Sequence, residues 1–394
     1  MTDKFFICQK SNNFDENFKA MSAKIIPYDR NKAFNHLPLL PPPDSKIFTV
    51  EILQAVNKAN KALAELKGLA HQLPNQGMLI NSLALREAKA STEIENIFTT
   101  DDELYKALSL DNEQSLQGSA KEVLRYREAL WKGYKLLKKP EGFTIKLVVE
   151  VYRKVQQATD GIRPPQSNTV IKKRGSDILG GSIIYTPPRG EKVIEQKLDN
   201  LIAYMNDDKK YDYDPLLKLA ISHYQFEAIH PFRDGNGRCG RILNTLFMIQ
   251  KKLLDVPILY LSAYIINNKD DYYTYLNTVT TRNNWSDWIL YMLKAVEETS
   301  RYTIKNIREI TQLFEKTEKL IAKKHPHIPK EAVEAIFEQP YCRPKRLVGE
   351  RIKSLNTAKK YLQQMEALGV MSPRKIGKET VYLNINLFDI LAEM

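Results

Sequence analysis

The sequence predicts a mainly α-helical protein. One short β-hairpin interrupts its helical core, a helical region precedes it, and a small mixed domain closes the chain. Three observations carry this prediction. Apolar residues recur at helical spacing through most of the stretch from Ile47 to Lys316. Glycines, prolines and β-branched residues gather in one internal segment, "GIRPPQSNTVIKKRGSDILGGSIIYTPPRGEK". From Ile328 onward the pattern changes and ends in a basic, hairpin-like stretch, "MSPRKIGKETVYLNI".

Composition narrows the class. At 394 residues the chain is longer than one compact domain usually is, so two or three domains are expected. With 43% hydrophobic and 27% charged residues it resembles an ordinary globular protein. No apolar run approaches the roughly 18 residues of a membrane helix, so no membrane partner is expected. The start, "MTDKFFICQKSNNFDENFKAMSAK", lacks the basic and apolar regions of a signal peptide. Three cysteines, Cys8, Cys239 and Cys342, are few, odd in number and far apart. They argue for a reducing, cytoplasmic location rather than a disulfide framework. No cysteine–histidine spacing suggests zinc. The net charge of +12 permits an anionic partner without establishing one.

The elements follow in order. Residues 1–46 read as an irregular arm ending in "LPLLPPPDSK", where the proline run gives a stiff, extended connection. A helical region is expected over 47–110. Its first helix places Ile52, Val56, Ala59, Leu63 and Leu66 on one face, and a second runs from near Met78 to Ser91 or beyond. A core is expected over 111–320. Its helices fall near Ala120–Leu137, Thr144–Thr159, Val193–Met205, Asp214–Glu227 and Gly237–Leu253, with at least two more between Tyr272 and Lys316. The segment 326–394 reads as helix, helix–turn–helix and a hairpin with Gly377 near its tip, the order of a winged helix. Between Tyr341 and Met394 ten lysines and arginines face five acidic residues.

The chemistry concentrates in "HPFRDGNGRCGR", His230 to Arg241. Gly235-Asn236-Gly237 can take left-handed backbone angles and leads directly into a helix, so bare amides and the helix dipole make an anion site there. Arg238 and Arg241, three apart, point from nearly the same helix face. Two guanidiniums beside a ring of amides suit a polyphosphate better than a carboxylate. Asp234 makes sense beside phosphate if it binds a divalent cation, and Mg²⁺ commonly takes one or two carboxylates plus phosphate oxygens. His230 can act as a general base near neutral pH. The residues alone suggest metal-assisted transfer of a phosphorus-containing group, with His230 activating the acceptor.

This twelve-residue stretch resembles the signature of Fic-domain proteins, His-Pro-Phe-x-(Asp/Glu)-Gly-Asn-Gly-Arg-x-x-Arg, and matches it at every defined position. The resemblance implies a Fic-type helical core. It also implies transfer of AMP from ATP to a Tyr, Thr or Ser hydroxyl of a protein, with release of diphosphate. By position, His230 deprotonates the acceptor and Asp234 binds Mg²⁺. Gly235, Asn236 and Gly237 hold the phosphates, Arg238 assists, Cys239 and Gly240 belong to the same ATP-binding stretch, and Arg241 grips the γ-phosphate.

"GSIIYTPPRGE" resembles the family's flap, with Ser182, Ile183, Ile184, Tyr185 and Thr186 holding a target chain by strand addition. Tyr272 and Tyr273 are candidates to contact the nucleoside, Tyr273 the preferred one. "KASTEIENIF" resembles the inhibitory motif (Ser/Thr)-x-x-x-Glu-(Gly/Asn), with Ser91, Glu95 and Asn96 in place. There a carboxylate paired with Arg241 would withdraw that arginine from the γ-phosphate. The order of arm, helices, core and tail resembles the subclass restrained by an N-terminal helix. Two further expectations follow: a homodimer and self-modification. The tail reads either as a protein-interaction or spacer module or as a DNA contact through Lys359, Lys360 and Arg374. Two other functions stay open. One is removal of AMP by the same site, with Glu95 orienting a water. The other is an ATP-sensing DNA-binding regulator.

Overall fold

Fifteen α-helices and two small antiparallel sheets occupy the residues described by a computed structural model, 28–71, 77–109, 118–172, 182–376 and 379–392. A single 3₁₀ turn, Asp44–Lys46, leads into α1 (Val50–His71), α2 (Gly77–Ile94) and α3 (Asp101–Ser109). Then come α4 (Ser119–Leu137), α5 (Ile145–Gln156) and the hairpin of β1 (Ile171–Lys172) and β2 (Ile183–Tyr185). The core continues with α6 (Val193–Asn206), α7 (Pro215–Ile229), α8 (Asn236–Gln250), α9 (Leu261–Asn267) and α10 (Lys269–Arg282). α11 (Trp285–Lys324) is 40 residues long and lies along α1, whose Ile52, Val56, Ala59, Leu63 and Leu66 are all buried.

α7 is the central helix and is buried on almost every side. Asp214 caps its start by accepting from the Leu216 amide at 2.8 Å, and Pro215 takes the first helical position, where no amide is needed. Trp288 of α11 donates its indole N–H to the Ala220 carbonyl at 2.8 Å. The arm is pinned to this core although it has little regular structure. Asn200 of α6 exchanges hydrogen bonds with Leu40, accepting from its amide at 2.7 Å and donating to its carbonyl at 3.2 Å, and Gln225 of α7 donates to the Pro38 carbonyl at 2.9 Å.

The C-terminal part contains α12 (Lys330–Ala335), β3 (Tyr341–Cys342), α13 (Pro344–Leu347), α14 (Leu355–Ala367), β4 (Ser372–Ile376), β5 (Glu379–Leu383) and α15 (Ile385–Ala392). The helix–turn–helix and hairpin follow the anticipated order. β3 adds a third strand on β5, with Tyr341 opposite Leu383 and Cys342 opposite Tyr382. Gly377, expected at the hairpin tip, lies outside the described residues, as do residues 1–27 with Cys8. α14 buries Ala358, Leu362 and Met365 and leaves Lys359 and Lys360 exposed. This part packs on α3: the Tyr341 hydroxyl donates to Asp102 at 2.5 Å, and Tyr105 meets Phe388 edge to face. No helix among the described residues is long and apolar enough to cross a membrane.

Candidate active site

The site forms where α7 ends and α8 begins. His230 caps α7 in the left-handed region, at φ 50°, which is costly for a residue with a Cβ. Its burial, then the charge of Arg163, lower the imidazole to about 4. The ring is therefore neutral at physiological pH and able to take a proton. Its Nδ1 finds no protein hydrogen-bond partner among the described residues.

The loop after it is shaped by Asn236, whose side chain accepts from the Phe232 amide at 2.8 Å and donates to the Phe232 carbonyl at 2.9 Å. Gly235 begins α8 at φ 72°, and a Cβ there would strike Gln156. Asp234 is exposed. One of its oxygens takes the Gly235 amide at 2.7 Å. Among the described residues no three His, Cys, Asp or Glu side chains converge on a cation site. A lone exposed carboxylate fits Mg²⁺ that draws its remaining ligands from phosphate and water.

The end of α2, carrying Ser91, Glu95 and Asn96, reaches this helix start. α2 ends in a Schellman turn: the Ile97 amide donates to Thr92 at 3.1 Å and the Asn96 amide to Glu93 at 2.9 Å. Asn96 takes the left-handed position of that turn, at φ 62°, which explains why glycine or asparagine suits the place. Glu95 is thus the C-cap of α2. It accepts from Arg241 Nη2 at 2.8 Å. Its carboxylate also lies over Gly237, so close that a Cβ there would come within 2.4 Å. The amides at the start of α8 have no partners within the helix, and the Glu95 carboxylate lies near that end, over Gly237. Burial alone would raise its pKa. Arg241, with help from Arg238 and His230, overrides this and holds it below the usual carboxylate range.

Arg241 is 2% exposed and further fixed by Ser91, with Nε donating to the hydroxyl at 2.7 Å and Nη2 to the carbonyl at 2.8 Å. Arg238 does not share these partners. It turns toward α4, donating to Glu122 at 2.6 Å, and its Nη2 lies 2.8 Å from Gln156 Oε1 once that amide is oriented by its neighbours. Three positions on a helix differ by about 60°, enough for two long side chains to part company. The shared face expected for the two arginines is therefore not found. Cys239 is wholly buried, with its thiol pushed up by burial. At Gly240 a Cβ would meet Glu227, so this glycine serves the close approach of α7 and α8.

Tyr272 is 2% exposed and bonded to His223 at 2.9 Å, whereas Tyr273 is 42% exposed. On β2, Tyr185 donates to the Ala228 carbonyl of α7 at 2.8 Å, and Ser182, just before the strand, is exposed. The edge of β2 meets the arm: Tyr28 donates to the Ile184 carbonyl at 3.0 Å, the Phe34 amide to the Thr186 carbonyl at 3.0 Å, and the Thr186 hydroxyl to the Arg30 carbonyl at 2.6 Å.

Several neighbours escaped the sequence reading. Glu87, on the Ser91 face of α2, is buried and accepts from Tyr126 at 3.1 Å and from the Ser262 amide and hydroxyl at 2.8 and 2.5 Å. Its spacing of four from Ser91 was the available signal. Glu227, raised to about 7 by burial, lies one turn before the end of α7. Arg163 is tied to the His230 turn.

Comparison with known proteins agrees with this geometry. The family models "Fic/DOC family N-terminal", "Fic/DOC family" and "Protein adenylyltransferase SoFic-like, C-terminal domain" match residues 53–135, 142–248 and 313–387. A probable protein adenylyltransferase of Aquifex aeolicus is 30% identical over 191 residues, 47% of this chain and 54% of that protein. Protein adenylyltransferase fic-1 of Caenorhabditis elegans is 31% identical over 115 residues, 29% of this chain and 21% of that protein. The chain thus spans about half or less of the length of these relatives. A crystal structure of a Fic family protein from Desulfovibrio desulfuricans shares the fold at TM-score 0.54 and 18% identity, covering 88% of this chain and 98% of that one. By the three segments these models match, this chain carries the N-terminal and core domains of the Fic/DOC family and a SoFic-like C-terminal domain.

Proposed function

We propose that this chain transfers AMP from ATP to a hydroxyl of a protein, itself included, and that Glu95 restrains it. The relatives named protein adenylyltransferase support the reaction class. The observation that carries the reading is the Glu95 carboxylate seated on Arg241 and over Gly237 at the start of α8. An internal anion in that place marks a phosphate site. With Glu95 withdrawn, Arg241 takes the γ-phosphate, and the amides from Gly235 to Gly237 take the remaining phosphates. Asp234 holds the Mg²⁺ that accompanies ATP. The neutral His230 imidazole accepts the proton of the acceptor hydroxyl as its oxygen attacks the α-phosphorus. The bond from that phosphorus to the bridging β-phosphate oxygen breaks, and diphosphate leaves.

Tyr273, 42% exposed on α10, is the residue assigned to contact the nucleoside. Arg238 supports the helix start through Glu122 and Gln156 more than it reaches the nucleotide. A target segment would add to β2 where the arm now lies. We assign the arm to 1–46, the inhibitory region to 47–110, the catalytic core to 111–320 and the winged helix to 326–394. A cytoplasmic location and a homodimer complete the proposal; the tail serves as an interaction or spacer module, and the exposed Lys359, Lys360 and Arg374 are the residues a DNA contact would use instead.

The test uses ATP labelled at the α- or the γ-phosphate, with Mg²⁺ and Glu95→Gly. Label should enter protein from the α-position only. Entry from the γ-position would replace adenylyl transfer by phosphoryl transfer.

A further inference from the structure

A helix leaves its last carbonyls without intrahelical partners. At the end of α7 these partners are supplied from one direction. Tyr185 of the flap strand donates to the Ala228 carbonyl at 2.8 Å. Arg163 supplies the next three: Nη2 to Ile229 at 3.3 Å, Nε to His230 at 2.8 Å, and its backbone amide to Pro231 at 2.9 Å. The same Nη2 reaches the Pro188 carbonyl, just beyond the flap strand, at 2.5 Å. The arginine is 2% exposed. A planar fork can bridge separate carbonyls in this way and an ammonium cannot. A cation is also favoured at a helix C-terminus.

Resting on the adenylyl-transfer reading, we infer that Arg163 is a positioning residue that sets the flap strand against His230. The left-handed backbone of His230 persists only if its surroundings hold it, and Arg163 binds its carbonyl and those on both sides. The same side chain grips the continuation of β2. The Arg163 guanidinium, together with the Tyr185 hydroxyl, thereby fixes the distance between a target chain on the flap and the base. Burial lowers Arg163 only to about 10, so it stays charged at neutral pH.

A protein acceptor depends on the flap, whereas water attacking the same phosphorus does not. In the Glu95→Gly background, Arg163→Lys should therefore lower the ratio of protein-bound AMP to free AMP by about tenfold, since a misplacement near 1 Å can cost two orders of magnitude. ATP affinity should change little. Arg163→Gln should behave alike. Parallel loss of both products, or an unchanged ratio, overturns the inference. If Arg163→Lys does not fold, Tyr185→Phe removes the other tie between strand and helix and must lower the same ratio; an unchanged ratio overturns the inference there too. The Glu95→Gly parent is assayed first. Absence of protein-bound AMP in the parent refutes the adenylyl-transfer reading and this inference with it, whereas a modified parent with an unaltered ratio in Arg163→Lys refutes this inference alone.

Discussion

Glu95→Gly removes the carboxylate paired with Arg241 in the site expected for the γ-phosphate. The substitution breaks a charged hydrogen bond of 2.8 Å to Arg241. Such bonds contribute about 1.5–3 kcal/mol net. The Glu95 side chain is 35% exposed, so solvent screening reduces this toward roughly 1–2 kcal/mol. At 1.4 kcal/mol per decade, ATP affinity should rise about tenfold. ADP, which has no γ-phosphate to compete for Arg241, should gain far less. Glu95→Gln keeps the volume without the charge and should fall between the two.

Ser91 contributes in the opposite sense. It holds Nε and Nη2 of Arg241 while leaving Nη1 toward Gly237. Adding Ser91→Ala to Glu95→Gly should therefore weaken ATP again. Calorimetric titration of ATP and ADP into the four proteins measures all of this. Equal gains for ATP and ADP in Glu95→Gly would refute an anion held in the γ-phosphate site.

Two further expectations concern pH. With His230 near 4, kcat/KM of Glu95→Gly should stay flat as pH falls from 8 to about 5 and decline only below that, because the base stays deprotonated above its pKa. A break near 7 that disappears in Glu227→Gln belongs to Glu227; a break near 6.5 that persists would contradict the buried imidazole. Stability should fall on acidification. Burial, then the charge of Arg241, lower His223 to about 3, against about 6.5 in an unfolded chain. The unfolded state therefore binds more protons between those values, so stability is full above about 6.5 and is lost as pH falls through this window. The loss from pH 8 to 5 should be on the order of 2 kcal/mol. Urea unfolding of wild type and His223→Gln, which keeps a partner for Tyr272, should differ by that amount in pH dependence, and identical dependence would refute it.

Much of this was legible from the chain alone, for physical reasons. The signature combines residues whose positions are set locally: Gly235 at positive φ, Asn236 folding back on Phe232, Arg241 one turn into α8. Periodicity located α1 because Ile52 to Leu66 form a wide stripe against α11. The short elements α3, α9, β3 and α15 were missed, since packing rather than pattern holds them. Ser262 at the start of α9, for example, is bound by Glu87 of α2. Arg163 was invisible because its partners are backbone carbonyls distant in sequence, which any residue could supply. The divergence of Arg238 from Arg241 depends on Glu122 and Ser91, on different helices.

The most direct measurement is intact-mass spectrometry of Glu95→Gly and of Glu95→Gly/His230→Ala after incubation with Mg²⁺ and ATP. The expected result is a gain of whole AMP groups in the first protein and none in the second. An equal gain in both would remove His230 as the base, and no gain in either would contradict adenylyl transfer to protein by this site.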